Sequence, residues 1–145
     1  MVPGITSASA CSAYAGIPLT HRGLATGVRF VTGHCREGVP LELDWVSLAD
    51  PNTTLAVYMG TANADVISDR LIAAGLDRDT PVALIENGTT SRQRVAITTL
   101  AGLGAEIARK GFKPPTLIVI GKVVSLAETL AWAPAHPTEE LSAHA

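Results

Sequence analysis

The sequence predicts an α/β domain built on a mixed sheet with helices packed against it. Helix-like and strand-like segments alternate in the order α, β, α, β, α, β, β, α, β, α, which is typical of layered α/β proteins. The two strands that follow each other directly are joined by a turn, so one of them can return antiparallel. Hydrophobic residues are 47% of the 145 residues and charged residues 17%, which favours one domain with a real core.

The first elements are a thin helix, a strand and a short capped helix. Thr6 to Ala15 is built mainly of small residues, and Ala8, Cys11, Ser12 and Ala15 recur at helical spacing on one face. Val28 to Thr32 alternates as a strand does, and Arg36 to Leu43 is a loop. Asp44 then stands where an N-cap residue is expected, before a short helix over Trp45 to Ala49.

The middle of the chain predicts two buried strands around a helix. Thr53 to Met59 is rich in β-forming residues without polar alternation, as in a strand covered on both faces. Ala62 to Ala74 has the apolar spacing of a helix, and Gly75 is its stop signal. Pro81 to Glu86 is the second buried strand, and Asn87 to Thr90 is a turn.

The last third predicts two further strands, each followed by a helix. Arg94 to Leu100 is the strand that returns after the turn, and Leu103 to Arg109 is a modest helix. Thr116 to Ile120 is the last core strand, and Val123 to Ala131 is a short terminal helix. The polar, proline-containing residues 133–145 are expected to form a mobile tail.

Composition excludes several classes of function. The net charge of −2 argues against a nucleic-acid-binding surface. The longest apolar run, Leu117 to Ile120, is too short to span a membrane, and no secretory signal follows Met1, so we expect a soluble, cytoplasmic protein. Cys11 and Cys35 lack metal or disulfide spacing, and His34 beside Cys35 does not make a tetrahedral site, so no metal is predicted.

Candidate ligand contacts cluster where strands are expected to end. Glycines follow three predicted strands in the segments Thr32 to His34, Met59 to Gly60 and Glu86 to Thr89, and ligands of open α/β sheets bind at the carboxyl ends of strands. Basic residues occur in two nearby turns and suit a carboxylate-bearing ligand. These basic residues are His21, Arg22, Arg92 and Arg94.

Six strings, taken together and in this order, closely resemble the uroporphyrinogen-III C-methyltransferases of the tetrapyrrole methylase family. The strings are Val2 to Ala8, Ala15 to Arg22, Val31 to His34, Val57 to Gly60, Pro81 to Thr89 and Leu117 to Gly121. The resemblance runs from Val2 to about Trp132. It implies the second domain of a two-domain α/β fold, with residues 1–132 as that domain and 133–145 as the tail.

The resemblance also implies a reaction, and it implies that the two domains contribute different residues to the active site. Members of the family transfer two methyl groups from S-adenosylmethionine to uroporphyrinogen III, which gives precorrin-2 and S-adenosylhomocysteine for siroheme and cobalamin synthesis. The proton-accepting residue belongs to the N-terminal domain, so no catalytic residue is assigned in this chain and the chain alone is expected to be inactive. A homodimer, with part of the contact made by this half, is implied as well.

Two sets of site residues follow from the resemblance. The residues expected to contact the methyl donor are Thr6, Ser7, Met59, Pro81, Ala83 and Gly88. The carboxylate-rich substrate would give the basic residues a role as anchors, and these are His21, Arg22, Arg92 and Arg94.

Three alternatives stay open on the sequence alone. The chain could act on another precorrin, since other C-methyltransferases of the family share the fold. It could be one module of a longer fusion protein. It could also be a half-domain without catalysis that only associates with a partner through an exposed apolar face.

Overall fold

The structure, a computed structural model, describes residues 1–35 and 39–132. The strands are β1 (Gly27–Thr32), β2 (Thr53–Tyr58), β3 (Pro81–Glu86), β4 (Arg94–Thr99) and β5 (Thr116–Ile120). The α-helices are α1 (Ser7–Tyr14), α2 (Trp45–Leu48), α3 (Ala64–Ala73) and α4 (Leu103–Lys110). Two 3-10 turns complete the described elements, at Thr61–Asn63 and Lys122–Leu126. The predicted tail, residues 133–145, lies outside the described residues.

The five strands form one mixed sheet in the order β1-β2-β5-β3-β4. β1 runs parallel to β2, whereas β5 is antiparallel to both β2 and β3, and β4 is antiparallel to β3. β1, β2 and β3 therefore point the same way, and we call the side where they finish the carboxyl end of the sheet. β4 and β5 begin at that same end.

Helices cover the two faces of the sheet unequally. α2, α3 and α4 pack on one face through large apolar side chains that include Ile67, Leu71 and Leu103. α1 and the 3-10 turn Lys122–Leu126 pack on the other face through smaller side chains, among them Ala8 and Cys11. We call these the α3–α4 layer and the α1 layer.

The mixed α/β fold predicted from the sequence is confirmed, and so are its first nine elements to within two residues at each boundary. Asp44 caps α2 as expected, because its carboxylate accepts a hydrogen bond of 3.1 Å from the amide of Ser47. The terminal helix predicted over Val123 to Ala131 is wrong, since a 3-10 turn ends at Leu126. Val123 and Val124 are adjacent β-branched residues, which lowers the helix propensity of this segment, and both are buried within the 3-10 turn.

None of the helices in the described part of the chain combines the length and the apolar composition that crossing a membrane requires.

Candidate functional site

A cleft of about 600 Å³ opens at the carboxyl end of the sheet, on the side of α1. Ser7 and Cys11 of α1 form one wall, and the residues that follow β2 and β3, including Met59 and Gly88, form the other. The volume lies within the range of small-molecule binding sites. We call it the α1 cleft.

The backbone is strained in the two loops that border the α1 cleft, one after β2 and one after β3. Met59, Asn87 and Thr89 have φ angles of 54°, 49° and 67°, in the left-handed region that non-glycine residues rarely adopt. Within residues 1–35 and 39–132 they are the only non-glycine residues with positive φ. Such strain tends to accumulate at binding sites, so the backbone itself marks this end of the sheet.

The turn after β3 is held rigidly by hydrogen bonds. The amide of Asn87 donates to the carbonyl of Pro115 at 3.1 Å, and the hydroxyl of Thr90 donates to the carbonyl of Asn87 at 2.7 Å. The amide of Thr89 donates to Oε1 of Gln93 at 2.7 Å. A preorganised turn of this kind presents its backbone groups to a ligand without further ordering.

Gly88 is where the turn touches α1. A Cβ atom on residue 88 would lie 2.3 Å from the Sγ atom of Cys11 and 3.0 Å from its Cβ. The absence of a side chain on Gly88 therefore lets the turn and the helix come together at the floor of the cleft. Burial raises the pKa of the Cys11 thiol, which keeps this group neutral and unsuited to nucleophilic attack at neutral pH.

Tyr58 joins the amino end of α1 to the sheet. Its hydroxyl accepts a hydrogen bond of 2.9 Å from the amide of Ala8 and also contacts the hydroxyl of Thr6. Tyr58 is not among the site residues predicted from the sequence. The signal was present, because a tyrosine at the end of a buried strand needs a partner for its hydroxyl.

The structure brings together four of the six residues expected to contact the methyl donor. Ser7, Met59 and Gly88 line the α1 cleft, and Thr6 lies at its border beside Tyr58. Met59 is 61% exposed, so its side chain is free to meet a ligand.

Pro81 and Ala83 are placed away from the α1 cleft, contrary to expectation. Pro81 begins β3 and so lies about 17 Å from the carboxyl end of that strand. It lines a separate cavity of about 270 Å³ at the opposite end of the sheet. Ala83 is fully buried within the sheet, beneath the α1 layer. Both residues belong to the segment Pro81 to Thr89, and only the last part of that segment lines the α1 cleft.

Arg94 is engaged in structural contacts rather than free for a ligand. One guanidinium nitrogen donates to Glu86 at 2.9 Å and the other donates to the carbonyl of Lys110 at 2.7 Å. The guanidinium also stacks 4.9 Å from the centre of the Phe112 ring. Glu86 is 5% exposed and accepts a second hydrogen bond from the amide of Lys113, so Arg94 serves to neutralise a buried carboxylate.

The other predicted basic residues lie at two different ends of the sheet. Arg92 is exposed in the turn after β3, where its amide donates to the Thr90 hydroxyl at 3.2 Å, so it lies near the mouth of the α1 cleft. His21 and Arg22 are also exposed. They lie in the loop that pairs His21 with Ala25 just before β1 begins, which is the end of the sheet opposite the cleft.

The chemistry available in the α1 cleft is that of binding rather than proton transfer. The described residues that line it include no carboxylate and no histidine. Across the described ranges, moreover, no three His, Cys, Asp or Glu side chains are grouped so as to hold a metal ion. The cleft offers apolar surface, backbone groups and hydroxyls, which suit an uncharged ring system and a cationic centre.

The sequence matches known proteins over nearly its whole length. A profile described as "Tetrapyrrole (Corrin/Porphyrin) Methylases" matches residues 1–104. The siroheme synthase of Azotobacter vinelandii is 54% identical over 132 residues, which are 91% of this chain and 28% of that protein. The chain thus spans a little over a quarter of the length of that relative.

Solved structures give the same picture. A uroporphyrin-III C-methyl transferase from Thermus thermophilus, complexed with S-adenyl homocysteine, matches with a TM-score of 0.70 and 35% identity, over 86% of this chain and 53% of that one. A cobalt precorrin-4 methyltransferase of cobalamin biosynthesis matches with a TM-score of 0.75 and 27% identity, over 85% of this chain and 52% of that one.

Proposed function

This chain belongs to the tetrapyrrole methylases, and on that premise we propose that it forms the part of an S-adenosylmethionine-dependent C-methyltransferase that holds the methyl donor. The observation that carries the proposal is the α1 cleft, where Ser7, Met59 and Gly88 converge from three separate segments. The Thermus relative complexed with S-adenyl homocysteine supports the same class of ligand.

The lining of the α1 cleft fits such a donor. When bound, S-adenosylmethionine supplies an electrophilic methyl group on a sulfonium. The described lining residues include no carboxylate. The positive sulfonium would therefore not be stabilised by an ion pair in the described cleft wall before it gives up its methyl group. The exposed side chain of Met59 offers apolar, polarisable contact, and the turn around Gly88 offers backbone groups to a heterocycle.

α1 contributes to binding through its amino end. The amides of the first turn of a helix lack partners within the helix and carry partial positive charge. In α1 this end, which begins at Ser7, borders the cleft, and Thr6 and Tyr58 fix its position. A ligand carboxylate placed there would be stabilised.

We propose uroporphyrinogen III as the methyl acceptor, with two successive C-methylations that give precorrin-2 on the way to siroheme. The identity of 35% with the uroporphyrin-III enzyme, against 27% with the precorrin-4 enzyme, favours this acceptor. Arg92, exposed near the mouth of the cleft, is the basic residue best placed to attract a carboxylate-rich substrate. His21 and Arg22 would reach such a substrate only where it, or a second subunit, extends to the opposite end of the sheet.

A complete active site needs residues beyond those described. The solved relatives are about twice as long as the matched segment, and the described lining of the α1 cleft offers no group suited to accept the ring proton. We propose that a further domain packs over the cleft and supplies that group, with residues 1–132 as the donor-binding domain. Assembly as a homodimer stays a prediction.

Calorimetric titration of the 145-residue chain with S-adenosylhomocysteine tests the proposal. We expect measurable binding that weakens about tenfold in Met59→Ala, which removes a ligand-facing side chain. Val46→Ala is the matched control, because Val46 is 80% exposed on α2, in the α3–α4 layer, and its loss leaves the cleft unchanged. No binding, or equal binding by both variants, contradicts the proposal and favours a half-domain that only associates with a partner.

A further inference from the structure

α1 is weakly held by apolar burial. Its buried residues are Ala8, Cys11 and Ser12, all of them small. Since the stabilisation from burial scales with apolar area, this helix gains little from its contact with the sheet. Its position must therefore depend strongly on contacts at its two ends.

Tyr58 fastens the amino end, and three residues near the end of the described chain fasten the carboxyl end. The indole Nε1 of Trp132 donates a hydrogen bond of 2.7 Å to the carbonyl of Ala13. The indole ring also meets the ring of Tyr14 edge-on, with 5.3 Å between centroids. We call Leu130–Trp132 the C-terminal clasp.

The backbone of the clasp crosses the end of α1 at close range. A Cβ atom on Gly16 would lie 2.9 Å from the backbone of Leu130 and of Ala131. Gly16 has a φ of 69°, so this position requires glycine both for its conformation and for the close approach. Glycine at position 16 thus allows the backbone of the C-terminal clasp to pack against the end of α1.

The contact with Trp132 is not explained by burial of the indole. Trp132 is 65% exposed, so little of its apolar surface is removed from water. Its nitrogen instead donates to the carbonyl of Ala13 in the last turn of α1, a carbonyl that also accepts from the amide of Gly16 at 3.2 Å. Trp132 thus contacts the last turn of α1 both through its ring nitrogen and through its ring edge.

We propose that Trp132 is a positioning residue for the α1 cleft. α1 is eight residues long, so about 12 Å separate its two ends, and a shift at the clasp is passed to Ser7 and Cys11 at the cleft. Trp132 holds the helix against the turn at Gly88 and thereby sets the width of the cleft. The consequence for ligand affinity rests on the proposed function, whereas the effect on α1 does not.

The reactivity of Cys11 reports on the position of α1 without any ligand. The chain has two cysteines, so Cys35→Ala leaves Cys11 as the only thiol, buried against Gly88. In this background we expect Trp132→Phe, which keeps an aromatic ring but loses the donor, to speed alkylation of Cys11 by iodoacetamide about two- to tenfold. Tyr14→Phe is the matched control: it keeps the ring that meets Trp132, and the rate should not change.

Urea dependence separates positioning from general stabilisation. If Trp132 positions α1, the faster alkylation is nearly independent of low urea concentrations, because the opening is local. A rate in Trp132→Phe equal to that of its parent overturns the proposal. So does an acceleration that rises with urea as steeply as global unfolding does.

A parallel measurement with S-adenosylhomocysteine separates this proposal from the proposed function. We expect the ligand to slow alkylation of Cys11 in the Cys35→Ala chain and to do so less in the chain that also carries Trp132→Phe. If the ligand protects neither chain while Trp132→Phe still reacts faster without it, the proposed function fails and the role of the clasp in holding α1 stands. If it protects both equally, the clasp does not set the cleft.

Discussion

The two helical layers cover the same sheet in different ways. In the α3–α4 layer, Ile67, Leu71 and Leu103 are almost completely buried in a large apolar cluster. In the α1 layer, the helix that borders the cleft contributes Ala8 and Cys11, and its two ends are hydrogen-bonded to Tyr58, which accepts, and to Trp132, which donates. The larger buried side chains belong to the first layer and the proposed ligand contacts to the second, so substitutions in the cleft wall should leave the larger core intact.

Truncating the α3–α4 layer is expected to give the largest effect. Leu71 is fully buried, and Leu71→Ala should lower the free energy of unfolding by about 2–5 kcal/mol, because it removes apolar contacts and leaves a cavity. Urea denaturation followed by circular dichroism measures this change. Cys11→Ala, the corresponding truncation in the α1 layer, should cost about 1 kcal/mol or less. Equal losses in the two variants would remove the distinction between the layers.

Adding one carbon at Gly88 is expected to give an intermediate effect, confined to the α1 layer. The new Cβ of Gly88→Ala would overlap Cys11 and push α1 away from the turn, at a cost of about 1–2 kcal/mol. Denaturation of the single and double variants measures the coupling. Cys11→Ala should recover much of the loss when combined with Gly88→Ala, since it removes the closest atom. Additive effects would show that the two residues do not meet.

The smallest expected effect is at the surface of the α3–α4 layer. Glu106 accepts hydrogen bonds from Arg109 and Lys110, in that order of influence, and these lower the pKa of its carboxyl from 4.5 to about 2. The carboxylate therefore stabilises the fold above pH 4.5, and this contribution is lost as the pH falls from 4.5 towards 2. Glu106→Gln should lower the melting temperature slightly at pH 7 and not at pH 2.

Melting curves of Glu106→Gln at several pH values check this last prediction. Glu128→Gln makes the same change of charge on the chain that leads to the C-terminal clasp and serves as the control. A difference from the parent chain that persists unchanged at pH 2 would show that the effect of Glu106→Gln is not electrostatic.

The sequence predicted the elements of the fold better than their arrangement. Apolar runs such as Thr116–Ile120 indicated strands buried on both faces, and this strand is indeed central. The insertion of β5 between β2 and β3 could not be predicted, because periodicity reports burial and not the identity of a neighbour. The final 3-10 turn was missed because Val123 and Val124 are apolar enough for a buried helix, and apolar spacing in so short a segment does not separate a 3-10 turn from an α-helix.

Residues that line the α1 cleft could be predicted where a glycine follows a strand. Met59 is followed directly by Gly60, and Gly88 lies in the turn after β3, so a glycine marks the end of each strand in the sequence. Arg94 could not be separated from Arg92 by sequence, since only the register of β3 and β4 places Arg94 opposite the buried Glu86. Trp132 gave no signal, because its partner Ala13 is bound through a backbone carbonyl.

Ser7 and Cys11 stand one helical turn apart on α1, and both line the cleft. Substitutions at these two positions alter the shape of the opening one side chain at a time and leave every strand of the sheet in place. α1 is thus the variable wall of the cleft, and the ends of the strands form its fixed wall. A change in the fit of this cleft can therefore arise through single substitutions on α1, with the sheet and its larger core retained at each step.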